Sequence, residues 1–460
     1  MKIFLRSIIK NLSLGLIFYI GIICLARFHT VFPDGGLRLV LTHSMVTHGT
    51  VVTAVGPVKY APLQPLMMAP FYALGYHYGI LNDEPPQNLE KIGELAVYYL
   101  FLPIIISALC VLFFRILKKM GVDDTASLVS TFLLFGGTFF LPYAGGMYSE
   151  PLSALLILIS FYYFYTAPTD NYLSCNRKNF FCLGLLILNN FVFLFYAGLM
   201  MLYVFWNSWS KRKNPSEAWR VALEGSLILG VSVLVFLYYN YSRYGGFFNF
   251  GYVGEGFTGN WIVGMYGLLF SFGKGFLVFS PLTVLCAIYF LAKSREMESW
   301  KRYVFGTSLI SFVCYLSIYS NWVFWHGGTC WGPRFLLPFV PLIHLMFPLL
   351  MKSVSSAHIG FRIGLLLTTV WALGMNLLHN LDPLAVFPKG RPNMTAQDYA
   401  EVMFIPQESV VFAIWNNGVL SSESLRFVAT FGLCAFLLWL WKKKFNPGLP
   451  VSQGSPSPVS

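Results

Sequence analysis

The stretch LSLGLIFYIGIICLARFHT, residues 12–30, decides the fold because it is the first of a series of similar apolar runs. A helix of about 17–22 apolar residues crosses the roughly 30 Å of hydrocarbon in a bilayer. Runs of this kind recur as far as Trp441 and predict an all-α, polytopic integral membrane protein. We place them at 12–30, 96–114, 126–142, 150–166, 180–207, 219–240, 274–292, 302–321, 335–351, 363–380 and 424–441.

The composition of the chain indicates the same class. Of its 460 residues, 56% are hydrophobic, 18% are aromatic and only 11% are charged, and the mean hydropathy is +0.63. A soluble domain of ordinary proportions does not bury so much apolar surface, so membrane lipid must cover it. The net charge of +12 resides in short clusters between the apolar runs, which the positive-inside rule explains without a nucleic-acid partner.

The fifth run, 180–207, is too long for a single ordinary crossing, and basic residues flank it on both sides. We predict two short helices that turn near Asn189–Asn190, which brings the total to about twelve membrane helices. Both termini then lie in the cytoplasm, and most of the 31 Lys and Arg residues fall in cytoplasmic segments. We expect the protein to reside in a bacterial inner (plasma) membrane.

One multi-pass domain, 1–444, accounts for nearly the whole chain. Its longest external loops are the first, 31–95, and the last, 381–423. The remaining segment, 445–460, is rich in Pro, Ser and Gly and is predicted to be a disordered cytoplasmic tail.

The first external loop begins with a carboxylate at the membrane surface. Asp34 stands just beyond the first helix and before two glycines, and 37–48 is typical of an amphipathic interfacial helix that Gly49 ends. A carboxylate in this position suits the removal of a proton from an approaching hydroxyl. Asp is also common as a helix cap, and the loop alone leaves both roles open.

Further polar positions follow on the external side. Lys59 and Tyr60 open the segment KYAPLQP, in which the Lys suits a phosphate and Tyr60 fits a pocket or an interfacial aromatic belt. Glu150 begins a membrane helix directly after Ser149. It is either an ordinary acidic helix start or the partner of a cation or a substrate hydroxyl.

The densest external segment is WVFWHGGTCWGPR, residues 322–334. Arg334 suits bidentate recognition of a phosphate, and Trp325, His326 and Trp331 are candidate pocket residues, although a lone His is more often structural. Lys274, in a Gly-Lys-Gly sequence, combines a positive charge with close backbone approach. Snorkelling of the Lys side chain to the interface explains this position about as well.

The order of these motifs resembles the C-type (GT-C) glycosyltransferases, multi-pass enzymes that use polyprenyl-phosphate-linked sugars. Within them it is similar to the family 39-like group, which contains protein mannosyltransferases and lipid A aminoarabinose transferases. The resemblance covers most of the chain up to about residue 380. It rests on Asp34, KYAP at 59–62, Glu150, GKG and SP within 273–281, and WGPRFLLP at 331–338.

This resemblance implies a catalytic pocket between the first external loop and the membrane surface. Asp34 would be the base that deprotonates or orients the acceptor, and Lys59, Lys274 and Arg334 would bind the donor phosphate. Glu150 would hold the acceptor or a divalent metal ion, the one cofactor that the resemblance leaves open. AspGlyGly stands where better-known members carry an Asp-Glu pair, so the sequence does not define a metal site.

Three functions from different classes are compatible with this pattern. One of them, a noncatalytic membrane scaffold, explains the helices but leaves the clustered Lys, Arg and Asp residues unexplained. The favoured one is an inverting transfer of a hexose or pentose from a polyprenyl-phosphate-linked donor to a lipid, glycan or protein hydroxyl on the non-cytoplasmic face. The alternative is a transporter or flippase of a lipid-linked saccharide. Transporters place ionisable residues near the membrane midplane, whereas the charges here cluster at the external ends of helices, which favours the transferase.

Overall fold

The structure is a computed structural model. It describes residues 2–26, 33–166, 171–211, 213–252, 254–328, 330–355, 358–381, 400–406 and 422–445. The predicted tail 445–460 lies outside this range apart from its first residue, and so does most of the predicted last external loop.

The described residues form helices and short connections, and no strand is present among them beyond an isolated bridge between Thr53 and Gly56. The helices are α1 Lys2–Leu25, α2 Pro33–His48, α3 Leu63–Leu81, α4 Pro86–Ala96, α5 Leu102–Lys119, α6 Asp124–Gly136, α7 Glu150–Thr166, α8 Tyr172–Asn189, α9 Leu194–Trp206, α10 Pro215–Tyr244, α11 Trp261–Phe270, α12 Phe276–Phe279, α13 Pro281–Lys293, α14 Ser299–Ser320, α15 Val340–His344, α16 Phe347–Ser355, α17 Ile359–Leu381 and α18 Ser422–Phe445.

Within the described ranges, six helices are long and apolar enough to cross a membrane. A seventh crossing follows if 334–344 and 347–354, which meet at a bend of 57°, form one broken span. Shorter apolar helices add to these, among them α6, α7 and α11. The prediction of an all-α polytopic membrane protein is confirmed, whereas the number of about twelve passages stays a prediction.

The predicted hairpin in 180–207 is present as α8 and α9. Helix α8 ends at Asn189, and the backbone of Asn190 is extended, with φ −161° and ψ 120°, before the chain turns into α9. The Tyr172 hydroxyl at the start of α8 donates to the Val204 carbonyl near the end of α9 at 3.2 Å, so the two helices run side by side in opposite directions.

Helix α2 corresponds to the predicted interfacial helix. It begins at Pro33 rather than at residue 37, and it ends at His48 as expected. It packs against α3, which in turn packs against α4. These three helices form the layer that carries Asp34.

A continuous helical stretch of 34 residues, 86–119, joins α4 to α5 through a single π-helical turn, Val97–Phe101. The apolar run predicted the membrane helix only from residue 96, because the charged side chains of Glu90, Lys91 and Glu94 lower the hydropathy of α4. The helix therefore begins ten residues before its apolar section.

Close packing between α11 and α14 is a testable feature of this fold. A Cβ atom on Gly264 of α11 would lie 2.0 Å from the carbonyl oxygen of Ser320 at the end of α14. We expect Gly264→Ala to destabilise the protein by about 1–3 kcal/mol, since the two helices must separate to admit the methyl group. Thermal unfolding in detergent measures this effect.

The matched control is Gly230→Ala in α10, where the added Cβ meets no heavy atom within 4 Å. This substitution gains up to about 1 kcal/mol of helix propensity. A Gly264→Ala variant as stable as the Gly230→Ala variant would contradict the packing of α11 on α14.

Candidate active site

A cavity of about 970 Å³ lies where α2, the ends of α7, α8 and α10, and the segment leading into α15 meet. Aromatic side chains are numerous in its walls, and among the described residues three acidic and three basic side chains line it. The charged residues are Asp34, Glu150, Glu255, Arg38, Lys59 and Arg334. The aromatic residues are Tyr60, Phe191, Phe236, Phe248, Phe250, Tyr252, Phe257, Tyr319, Trp322, Phe324 and Phe335.

The centre of the cavity wall is an ion pair between Asp34 and Arg334. Arg334 Nη1 donates to Asp34 Oδ2 at 2.6 Å, and the Tyr60 hydroxyl donates to Asp34 Oδ1 at 2.7 Å. The side chains of Asp34 and Arg334 are 24% and 14% exposed, so the pair is shielded but still reachable from the cavity. Both carboxylate oxygens are thus held by a donor, and this orients the group.

Arg38 strengthens the positive field at this carboxylate. It lies one helical turn after Asp34, its guanidinium stacks on the Tyr60 ring at 4.2 Å, and it donates to the Met147 carbonyl at 3.1 Å. Burial opposes ionisation of Asp34, but the charges of Arg334 and Arg38 and the Tyr60 hydrogen bond outweigh it and hold the carboxyl pKa well below its usual range. Asp34 is therefore ionised at neutral pH.

The AspGlyGly sequence has a packing reason. Asp34 lies in the first turn of α2, and a Cβ on Gly35 would lie 3.2 Å from the backbone nitrogen of Met147. The missing side chain lets the start of α2 approach residue 147 closely. This approach brings Asp34 to the segment that leads into Glu150.

Glu150 occupies the first position of α7 and lines the same cavity. Its Oε1 lies 3.9 Å from Arg334 Nε, which is too long for a hydrogen bond, and the Ser149 hydroxyl donates to its Oε2 at 3.5 Å. Arg334 therefore faces two carboxylates. No group of three or more His, Cys, Asp or Glu side chains within the described residues is placed to hold a metal ion, so the donor set does not fit a protein-built metal centre.

Lys59 lies on another wall of the cavity and has a carboxylate partner of its own. Its ammonium donates to Glu255 Oε1 at 2.5 Å and sits over the Tyr252 ring at 5.0 Å. Arg243, buried at the end of α10, donates to the carbonyls of Val58 and Tyr60, which flank Lys59 in the chain. The backbone that carries Lys59 is thereby fixed from behind.

Lys274 does not line the cavity, although the sequence placed it with the other phosphate-binding cations. Only 1% exposed, it donates to the Gly328 carbonyl at 2.9 Å, to the Cys330 carbonyl, and to Cys330 Sγ at 3.1 Å. Lys274 supports the segment before Arg334 from behind.

The candidate pocket residues divide in the same way. Tyr60 lines the cavity, whereas Trp325, His326 and Trp331 are buried behind its wall. Trp325 packs against Gly267 of α11, and His326 Nδ1 accepts the Gly328 backbone N–H at 3.0 Å. The Trp331 ring meets Phe279 with the ring centroids 5.4 Å apart. From this dense segment the cavity receives Trp322, Phe324, Gly327, Gly328 and Arg334 instead.

Sequence reasoning missed two charged residues of the cavity. Arg38 was recognisable, because a residue four positions after Asp34 on a helix lies on the same face. Glu255 carried no such signal, since it lies in a segment of glycines and aromatics without helical or strand periodicity. Its position depends on a contact with Lys59 across 196 residues of chain.

Comparison with known proteins shows which solved structures share the fold of this chain. No protein-family model and no curated protein matches the chain. Among solved structures, ArnT from Cupriavidus metallidurans bound to undecaprenyl phosphate superposes with a TM-score of 0.53 at 13% identity, over 95% of this chain and 77% of ArnT. The same protein in the apo state gives a TM-score of 0.55 at 13% identity over the same shares.

An oligosaccharyltransferase from Archaeoglobus fulgidus in the apo form gives a TM-score of 0.48 at 13% identity, over 87% of this chain and 60% of that protein. The likeness to ArnT at 13% identity shows the fold. The chain therefore has the fold of the GT-C membrane glycosyltransferases, which the sequence resemblance implied.

The Asp34–Arg334 pair is testable by a double-mutant cycle. We expect Asp34→Asn and Arg334→Gln, alone and together, to give a coupling free energy of about 1–3 kcal/mol, since charged hydrogen bonds in shielded sites contribute that much. Equilibrium unfolding in mixed micelles measures the coupling. The exposed pair Lys293–Glu296 provides the matched cycle, for which we expect no resolvable coupling. Equal coupling in the two cycles would contradict the special position of the cavity pair.

Proposed function

We propose that this protein transfers a monosaccharide from a polyprenyl-phosphate-linked donor to a hydroxyl of a lipid, glycan or protein on the non-cytoplasmic face of its membrane. The observation that carries the proposal is that Asp34, Lys59 and Arg334 face one cavity. A base and two cations within one cavity are what displacement of a sugar from a phosphate requires. The GT-C fold supports the same class of donor.

The chemistry follows from the charges. The acceptor oxygen attacks the anomeric carbon, the bond between that carbon and the phosphate oxygen breaks, and the polyprenyl phosphate leaves with the bonding electrons. The acceptor proton passes to the Asp34 carboxylate. Lys59 and Arg334 stabilise the negative charge that grows on the leaving phosphate. A single displacement of this kind inverts the configuration of the anomeric carbon.

Arg334 couples the donor to the base. In the structure it is paired with Asp34, so the carboxylate is a weak base. A donor phosphate bound to Arg334 competes for the same guanidinium and weakens its hold on Asp34. The basicity of Asp34 then rises when a donor is present, which suits a base that acts only on a complete pair of substrates.

Glu150 and the aromatic walls suit the sugar and the acceptor. Glu150 shares Arg334 with Asp34 and offers a carboxylate oxygen to an acceptor hydroxyl. The surrounding rings provide an apolar wall in which a few polar groups fix the orientation of the bound molecule. We assign no step to a metal ion. If both termini lie in the cytoplasm, as the distribution of Lys and Arg predicts, the cavity opens on the non-cytoplasmic side.

Asp34→Asn provides the first test of this function. We expect sugar transfer by the purified protein in liposomes to fall by at least about 10²-fold, because the amide takes up no proton. A panel of polyprenyl-phosphate sugars is offered, and the new glycosidic bond is measured together with movement of the labelled donor between leaflets.

The matched control is Asp83→Asn, which changes an Asp with φ 56° in the turn between α3 and α4, a backbone conformation that Asn also adopts. Control activity should equal that of the wild type. Near-normal turnover by Asp34→Asn would remove Asp34 from the mechanism. Donor movement without a new bond would instead establish the transporter.

The pH dependence of transfer tests the link between Arg334 and Asp34. Because the cations hold the Asp34 pKa below its usual range, kcat/KM of the wild type should not fall between pH 8 and about pH 5. In Arg334→Gln the pKa of Asp34 rises, so the acid limb of kcat/KM should move to higher pH. An unchanged acid limb in the variant would show that Asp34 is not the group that titrates.

A further inference from the structure

The charges that line the cavity cancel one another. Among the described residues, Arg38, Lys59 and Arg334 face Asp34, Glu150 and Glu255. A site built only to hold a phosphate would carry an excess of positive charge. The acid that has no role in the proposed transfer is Glu255.

Glu255 occupies the phosphate-binding position of Lys59. The Glu255 carboxylate oxygen lies 2.5 Å from Lys59 Nζ, and the two side chains are 22% and 28% exposed. A carboxylate and a phosphate offer the same kind of charged oxygen to an ammonium, so they compete for it directly. Lys59 therefore cannot bind a phosphate at full strength without losing Glu255.

The backbone holds Glu255 at this place. The carbonyl of the next residue, Gly256, accepts the backbone N–H of Val323 at 2.9 Å, and the Asn321 side chain donates to the Phe257 carbonyl at 2.9 Å. On the other wall, Arg243 fixes the carbonyls on both sides of Lys59. The backbone segments that carry Glu255 and Lys59 are thus both held in place by hydrogen bonds. Glu255 can therefore pair with Lys59 again when a ligand dissociates.

The two lipid phosphates in the proposed reaction differ in charge. A phosphate that links a polyprenol to a sugar is a diester with one negative charge, whereas the polyprenyl phosphate left after transfer is a monoester with about −1.5 to −2 charges at pH 7. A site of unopposed cations would hold the product more tightly than the donor. Turnover would then be limited by release of the product.

We propose that Glu255 is a competitor of the lipid phosphate for Lys59. Glu255 pairs with Lys59 when no donor is bound and separates from it when the donor phosphate binds. It pairs with Lys59 again after transfer and thereby displaces the polyprenyl phosphate product. This inference rests on the proposed function, because the competing anion is the donor or its product. Glu255 acts through Lys59 and lowers affinity for both ligands in order to keep turnover fast.

The test is Glu255→Gln, which keeps the size of the side chain and removes its charge. We expect the Kd for undecaprenyl phosphate in nanodiscs to fall about two- to fivefold, the equivalent of a partly exposed ion pair. The kcat and the donor KM should fall together, since a ligand held too tightly leaves slowly. A merely structural loss would raise KM or reduce kcat alone.

Companion variants keep the test decisive. In a Lys59→Gln background, Glu255→Gln should have no further effect on Kd, because the competition is for Lys59 itself. The matched control is Glu296→Gln, which removes an ion pair with Lys293 far from the cavity in the chain and should leave Kd unchanged.

Three results would overturn the proposal. Unchanged Kd in Glu255→Gln with normal sugar transfer would refute the role of Glu255 and leave the proposed function intact. Equal tightening with and without Lys59 would show a general effect of charge rather than competition. Absence of saturable binding of undecaprenyl phosphate to the wild type would refute the proposed class of donor, and with it the proposed role of Glu255.

Discussion

The ion pair between Asp34 and Arg334 is the interaction on which the cavity depends. It joins residues 300 positions apart in the chain, so it forms only when the start of α2 and the start of the 334–344 segment are both in place. Transfer of two charges out of water costs several kcal/mol for each ion and is compensated only by close geometry and further hydrogen bonds. Tyr60 donates a further hydrogen bond to the carboxylate, and Arg38 adds a nearby positive charge. The stability and the chemistry of the site thus depend on the same four side chains.

A second set of cations supports the cavity without lining it. Arg243 and Lys274 are buried, and each directs its protons at backbone carbonyls of a segment that carries a cavity residue. Arg38, which lines the cavity, also donates to a backbone carbonyl, that of Met147. Loops at a membrane surface have few regular hydrogen bonds of their own, and these contacts replace them. A wall held in this way needs little rearrangement when charge develops on a ligand, which is the basis of electrostatic preorganisation.

Much of the helical framework was predictable from local signals. The start of α7 at Glu150 and the turn at Asn190 follow from apolar periodicity and helix-breaking residues, which act within a few positions of the chain. The role of Lys274 was not predictable in this way. A Gly-Lys-Gly sequence indicates close backbone approach, but it does not reveal which backbone approaches, and here the ammonium meets the Gly328 carbonyl. Glu255, the partner of Lys59, was not predictable either, because the contact joins two segments that are distant in the sequence.

The continuous helix 86–119 has a mechanical consequence. At about 1.5 Å per residue its 34 residues measure about 51 Å, whereas the hydrocarbon layer is about 30 Å thick, so the helix exceeds the thickness of that layer by roughly 20 Å. The additional length corresponds to α4, which packs against α3. Helix α3 in turn packs against α2, the helix that bears Asp34. A long membrane helix adapts to a bilayer of different hydrophobic thickness by a change of tilt. Through the packing of α4 on α3 and of α3 on α2, such a change in tilt reaches the helix that carries Asp34.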